Sequence, residues 1–265
     1  MAIAACAPHN ETAQREFRES VAVERSDSTV VPPTVGTSAS STSTEAPATT
    51  RDAPGSSSTS TEAPATIAEL EVDGVGYRAA VTTIDDTIAS RMSKSWRPGC
   101  PVGLEDLRLL TVAHWDFSGD STTGELVVHA DHAEALGDVF GILYDAGFPI
   151  ERMELVDVYD ADDDRSMAAN NTSAFNCREV AWKPGVWSNH AYGTALDLNP
   201  LVNPYVSGST VLPPEGLAFA DRSARTTGGV YPGDVVVNAF TSIGWGWGGD
   251  WSSAKDWQHF SASGR

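Results

Sequence analysis

The pattern of hydrophobic and polar residues divides the chain into a polar N-terminal part and a regularly patterned remainder. Through residue 66 the chain is rich in Ser, Thr, Ala, Pro and Glu, and the nonapeptide STSTEAPAT occurs twice, from Ser41 and from Ser58. Such a segment buries too little apolar surface to offset the entropy lost on ordering. We predict a disordered tail or stalk over 1–66, an extension that packs on the domain over 67–98, and the main domain over 99–265.

Alternation of apolar and polar residues predicts the strands. Residues 67–84 alternate around two glycines and predict a hairpin of two strands. Three further strands are predicted over 107–115, 125–129 and 153–159.

Helical spacing is clearest over 133–144, where apolar residues recur every three or four positions. Asp131 is the expected cap of this helix, and Gly147 is expected to end it. Shorter helices are predicted over 86–92 and 234–243. Because strands and helices follow one another without regular βαβ alternation, we predict an α+β fold: a small, mostly antiparallel sheet with flanking helices.

Glycine, proline and serine dominate residues 201–232, which predicts a loop-rich segment. The acidic run 160–164 lacks the glycine and the distal glutamate of a calcium loop, so we interpret it as a solvated turn.

Composition and charge narrow the class of protein. With 265 residues, 41% of them hydrophobic, the chain is long enough for one domain and an appendage. The formal net charge of -19 disfavours nucleic acid and anionic membranes as partners. No stretch is long and apolar enough to span a bilayer. We expect an acidic, soluble monomer.

The three cysteines bear on the compartment. Cys100 and Cys177 lie in the predicted domain, and in a secreted protein they would form a disulfide; two unrelated buried thiols are the alternative. Residues 3–6, Ile-Ala-Ala-Cys, resemble a lipobox, which would place a lipid anchor at Cys6. The alternative is an accidental match. We expect an extracellular or cell-envelope location.

One stretch carries the clearest chemistry. His190 and Asp197 lie seven positions apart with no charged residue between them. Gly193 allows a tight bend, and residues 194–198 alternate as a short strand does. A loop histidine and a strand aspartate can therefore converge on one point, where both are good zinc ligands. A third ligand is available far downstream at His259.

This pattern resembles the zinc-binding signature of the M15 metallopeptidases. Its first half occupies Ser188, His190, Gly193, Ala195 and Asp197, and its second half is Asp256-x-x-His259. These peptidases include D-alanyl-D-alanine carboxypeptidases and L-alanyl-D-glutamate endopeptidases, which cut the stem peptides of bacterial peptidoglycan. The resemblance extends over about 99–265 and implies the zinc-binding fold shared by Hedgehog proteins and DD-peptidases.

The resemblance also implies a role for each signature residue. His190, Asp197 and His259 would bind one Zn²⁺ ion and leave a fourth position for water. Asp256, three residues before His259, would be the general base that takes a proton from this water and returns it to the leaving amine. Orientation of a ligand is the alternative role for Asp256.

Arginine would stabilise the oxyanion. Arg165 follows a predicted strand, as in relatives, but Asp164 stands where they have an aromatic residue. Arg178 is the rival, with a role in substrate binding, and either arginine could instead pair with the acidic run 160–164.

Five further residues are candidates for the substrate groove or its support. They are Ser188 and Tyr192, which flank His190, and Trp245, Trp247 and Trp251 of the Gly-Trp-Gly-Trp-Gly-Gly-Asp-Trp stretch. These tryptophans could wall a peptide groove or belong to the core.

The leading hypothesis is a zinc peptidase that acts on peptidoglycan stem peptides from a flexible stalk. The glycine–tryptophan stretch favours the carboxypeptidase subgroup over the endopeptidases. The alternative is a non-catalytic, zinc-containing cell-wall-binding module of the same fold, which would have no need of Asp256 or of an oxyanion arginine.

Overall fold

An antiparallel meander of four strands is the largest sheet of the computed structural model, which describes residues 68–71, 76–181 and 183–265. Its strands, in spatial order, are β1 (Ala68–Glu71), β2 (Arg78–Thr83), β3 (Leu107–Trp115) and β4 (Ser121–His129). The predicted hairpin and the next two predicted strands are thereby confirmed. The predicted stalk, its repeat and Cys6 lie outside the described residues.

Four α-helices lie along the described residues: α1 (Asp86–Arg91), α2 (Ala130–Asp145), α3 (Asp163–Ala168) and α4 (Val235–Ser242). Helix α2 is the long helix that the spacing predicts, and its apolar face is buried against the meander and α4. His129, and not Asp131, caps it: the His129 Nδ1 accepts the N–H of Asp131 at 3.2 Å. The reason is that β4 runs straight into the helix, so His129 is the last extended residue.

The strand predicted over 153–159 is wrong for most of its length. Only β5 (Arg152–Met153) is extended, pairing in parallel with β6 (Asn171–Thr172), and a 3-10 helix follows at Val156–Tyr159. Asp157 explains the turn, because its Oδ1 accepts the N–H groups of Lys94 and Ser95 at 2.8 and 3.0 Å. These hydrogen bonds tie the segment to the end of α1 and compete with a strand conformation.

Two small antiparallel sheets complete the fold. One has the order β10 (Gly246–Trp247), β12 (His259–Ser261), β7 (Ala195–Asp197), and the other β11 (Lys255–Asp256), β8 (Tyr205–Ser207), β9 (Thr210–Leu212). The β8–β9 hairpin and a 3-10 helix at Pro214–Phe219 lie within the segment predicted as loop. Mixed helices and antiparallel sheets confirm the α+β class.

The Cys100–Cys177 disulfide is formed, with 5.8 Å between the two Cα atoms. It joins the loop that follows α1 to the segment that leads into the metal motif, and Cys177 is buried in a small apolar cluster with Phe175 and Leu155. Disulfides are typical of proteins outside the reducing cytosol. Within the described residues, no helix has the length and apolar character needed to cross a bilayer.

Candidate metal centre

His190 lies on a 3-10 turn, Asn189–Tyr192, which Ser188 begins and Gly193 ends. The Ser188 Oγ accepts the N–H of His190 at 3.3 Å and so caps the turn. Gly193 has φ +68°, and a Cβ added there would lie 2.6 Å from the backbone nitrogen of His129. Only glycine therefore lets the turn close against the junction of β4 and α2.

A backbone carbonyl orients the His190 ring. The His190 Nδ1 lies 2.6 Å from the carbonyl oxygen of Ala174, and because a carbonyl only accepts, Nδ1 carries the proton. Nε2 faces the Asp197 Oδ2 at 3.3 Å. The Ala174 carbonyl thus fixes the ring with Nε2 toward the carboxylate, and Nε2 is the nitrogen available to a metal ion.

Strand pairing brings His259 to the same point. His259 of β12 is the direct partner of Asp197 of β7, so the two side chains share one face of the sheet. The His259 Nδ1 lies 3.0 Å from the Asp197 Oδ1, while its Nε2 lies 3.4 Å from the carbonyl oxygen of Arg265. One ligand atom from each of His190, Asp197 and His259 lies within 4.8 Å of the others, and all three residues are buried.

The three side chains shift one another's proton affinities. Burial by itself would raise the pKa of Asp197, but the charge of His190 and hydrogen bonds from both histidines outweigh it and hold that pKa well below its ordinary value. Burial would lower the pKa of His259, but its hydrogen bond with Asp197 and the charges of Asp197 and Asp256 raise it. The cluster therefore keeps its carboxylate ionised.

These residues fit a zinc ion. Two imidazole nitrogens and one carboxylate oxygen form a donor set that zinc accepts, and bonds of about 2.1 Å in tetrahedral geometry separate donors by ~3.4 Å. The His190 Nε2 lies 3.3 Å from the Asp197 Oδ2 and the His259 Nδ1 lies 3.0 Å from the Asp197 Oδ1, and the three residues form a group that could hold a metal ion. Three protein ligands leave one position open, which distinguishes catalytic from structural zinc sites.

Asp256 lies on β11, and a bend at residues 257–258 separates it from His259 on β12. Its Oδ1 is buried and has no hydrogen-bond partner among the described residues. Burial is the main reason that the pKa of Asp256 is raised to about 7; the charge of His259 opposes this shift and that of Asp197 adds to it. The carboxyl therefore lies within electrostatic range of the cluster and can exchange a proton near neutral pH.

Both candidate arginines pair with the acidic run. Arg165 lies on α3 with 57% of its side chain exposed, and its Nη1 is 2.7 Å from the Asp160 Oδ2. Arg178 is half-buried, and its Nη2 is 2.8 Å from the Asp163 Oδ2. Arg178 is also joined to the metal motif, because its carbonyl oxygen accepts the N–H of Ser188 at 3.1 Å.

The aromatic candidates separate into core and surface residues. Trp245 and Trp247 are only 2% and 3% exposed and pack in the main core, which is the alternative to a groove wall. Trp251 is half-buried, with its ring centroid 5.6 Å from that of His259. Tyr192 is 38% exposed on the turn that carries His190. Trp251 and Tyr192 therefore remain available to a substrate.

Two residues that position the site could not be recognised from the sequence. One is Ala174, which acts through its backbone carbonyl, and every residue has such a group. The other is Arg222, whose only signal is a cation in a loop. It donates to the Val202 carbonyl at 2.8 Å, and its guanidinium lies 5.3 Å from the Trp257 ring centroid, so it joins residues 201–232 to the segment that carries Asp256.

A buried His–Asp–His group in an α+β frame defines a candidate metal centre of the metallopeptidase type. Residues 181–262 match the family model described as D-alanyl-D-alanine carboxypeptidase, which confirms the resemblance to the M15 peptidases over this segment. The matched residues include the three candidate ligands and Asp256, whereas Arg165 and Arg178 precede them. No curated protein and no solved structure matches the chain.

Proposed function

We propose that this chain is a zinc-dependent peptidase that hydrolyses peptide bonds in peptidoglycan stem peptides, acting outside the cytoplasm. The observation that carries the proposal is the buried His190, Asp197 and His259 donor set beside Asp256, whose buried Oδ1 is unpartnered. The family match over 181–262 supports a peptidase, and the Cys100–Cys177 disulfide supports the location.

His190, Asp197 and His259 would hold the ion at a point where all three residues are buried. When bound, zinc polarises the scissile carbonyl and acidifies a water molecule. His190 is kept in one tautomer by Ala174, and Asp197 contributes a negative charge that remains ionised beside the histidines. The low exposure of all three side chains strengthens electrostatic interactions at this point.

Asp256 moves the proton. As an ionised base it accepts a proton from the attacking water, and as the resulting acid it donates this proton to the leaving amine nitrogen, so that the peptide bond is hydrolysed without net change in the enzyme. A pKa near 7 suits both steps, because the base is ionised and the acid can still release its proton.

An arginine stabilises the charge that develops on the carbonyl oxygen. The contacts favour Arg178 over Arg165, because Arg178 is half-buried and is joined through its backbone to Ser188 of the metal motif. Arg165 instead lies on the exposed side of α3 beside Asp160. Replacing each arginine by alanine and comparing kcat distinguishes them. Loss of the arginine that stabilises the oxyanion should lower kcat on the order of 100-fold or more.

The test uses the full chain loaded with zinc and two defined muropeptides, one ending in D-Ala-D-Ala and one containing L-Ala-D-Glu. Mass spectrometry of the products identifies the bond, and we expect release of the terminal D-Ala. Activity should be lost with a chelator and return with added zinc. If neither substrate is cut while the zinc-loaded chain is retained on insoluble peptidoglycan, the chain is a binding module and the proposal is wrong.

A further inference from the structure

Gly248 leaves no space between its own backbone and Asp256. A Cβ added to Gly248 would lie 2.6 Å from the carbonyl oxygen of Asp256 and 2.7 Å from its Cβ. Real Cβ atoms essentially never come so close to backbone atoms, so any larger residue must push β11 away. Gly248 begins the 3-10 turn Gly248–Asp250, and this turn is therefore packed directly on the residue that carries the carboxyl.

Lys255 fastens the same turn to β11. Its Nζ donates to the carbonyl oxygens of Gly249 and Trp251 at 2.9 and 2.6 Å, and Lys255 immediately precedes Asp256. The ammonium also lies 5.9 Å from the Trp257 ring centroid. One half-buried side chain thus joins the turn on one side of Asp256 to the strand on which Asp256 lies.

The backbone of Asp256 is held on its other side by β8, where it pairs with Tyr205. Its Oδ1 has no hydrogen-bond partner among the described residues, and the carboxyl forms a side-chain hydrogen bond with Gln258. The position of the carboxyl therefore depends on Gln258 and on where the Gly248 turn and β8 place the backbone.

We propose that Gly248 and Lys255 are positioning residues that fix the Asp256 carboxyl relative to His259. The inference rests on the proposed function, in which Asp256 is the general base. Neither residue is a candidate metal ligand or a candidate substrate contact: Gly248 sets the depth of β11 by close approach, and Lys255 keeps the turn closed.

The test compares G248A, K255M and K255R in the zinc-loaded full chain. Misplacing a catalytic group by about 1 Å costs about 100-fold, so G248A and K255M should lose up to this factor in kcat. Zinc content should stay at the wild-type value because no candidate ligand is changed, and KM should change much less than kcat. K255R should recover most of the loss, since a guanidinium can donate to the same two carbonyls.

Gly124 provides a matched control. A Cβ there would lie 2.5 Å from the Met153 Cβ, a clash of similar severity on β4. G124A should lower the melting temperature and leave kcat unchanged, which separates general crowding from displacement of Asp256.

Two outcomes overturn the inference. In the first, G248A and K255M both keep the wild-type kcat. In the second, K255R is as impaired as K255M, and both variants have an altered KM and zinc content. Crystal structures of the G248A and wild-type proteins show the position of Asp256 independently of any catalytic activity. An unchanged distance from its carboxyl to His259 contradicts positioning, whether or not the wild type cleaves muropeptides. An inactive wild type with a displaced carboxyl in G248A would refute only the proposed function.

Discussion

At the scale of single residues, Asp256 combines a buried, unpartnered Oδ1 with proximity to the three candidate ligands. Asp256→Asn keeps the shape of the side chain and removes its ability to accept a proton. We expect kcat to fall by about 100- to 10,000-fold, the usual contribution of a general base, while the bound zinc stays at wild-type content. Turnover and metal analysis of the same preparation check this. Loss of zinc in the variant would instead make Asp256 a ligand.

The pKa of Asp256 also predicts how stability depends on pH in the metal-free protein. Burial raises this pKa to about 7, above its ordinary value, so ionisation is harder in the folded than in the unfolded chain. The folded state therefore loses stability as pH rises from about 4 to about 7.

Asp256→Asn removes this loss. Metal-free variant and wild type should be about equally stable near pH 4, and at pH 8 the variant should be more stable by at least about 1 kcal/mol. Chemical denaturation at both pH values measures the difference. An advantage of the variant that is the same at both pH values would contradict the raised pKa.

The ligand side chains could be predicted from sequence, whereas their orientation could not. The spacing of His190 and Asp197 and the distant His259 identify a candidate metal-binding set, because few other residue types bind zinc. What fixes the His190 tautomer is the Ala174 carbonyl, and every residue has a carbonyl. Main-chain contacts of this kind carry no signal in residue identity.

At the scale of elements, the turn that carries His190 depends on Gly193. Gly193→Ala meets two costs: about 1–2 kcal/mol for a left-handed conformation, and a Cβ 2.6 Å from the His129 nitrogen. We expect a lower melting temperature and weaker zinc binding, because the turn must move and His190 moves with it.

Gly147 is the matched control for this variant. It has φ +66°, almost the same as Gly193, but a Cβ there has open space around it. Gly147→Ala should therefore lower stability through backbone strain alone and leave zinc affinity unchanged. Equal zinc affinities in the two variants would mean that the close approach of Gly193 to His129 does not position the ligand.

Element prediction succeeded where periodicity was long and failed where side chains redirect the backbone. Nine-residue strands and a 16-residue helix bury regular apolar faces, so their patterns are visible. Between 153 and 159 the apolar residues look like a strand, but Asp157 binds backbone N–H groups 62 and 63 positions away. Such distant partners cannot be read from a local window.

At the scale of the whole molecule, the disulfide joins residues 77 positions apart and holds the segment that leads to the metal motif. Cys100→Ser should lower the free energy of unfolding by about 2–4 kcal/mol, as loss of a long-range disulfide does. Thermal unfolding without reductant measures the loss, and wild type with reductant should match the variant. A melting temperature unaffected by both changes would show that the bridge does not contribute to stability.

The pairing of Asp197 with His259 has a consequence during synthesis. The two ligands are 62 positions apart and meet only when β12 docks beside β7. A ribosome-bound chain that has emerged no further than residue 250 contains His190 and Asp197 but not His259. It therefore has only two of the three candidate ligands. The candidate metal centre can therefore assemble only after β12 has been made and has paired with β7.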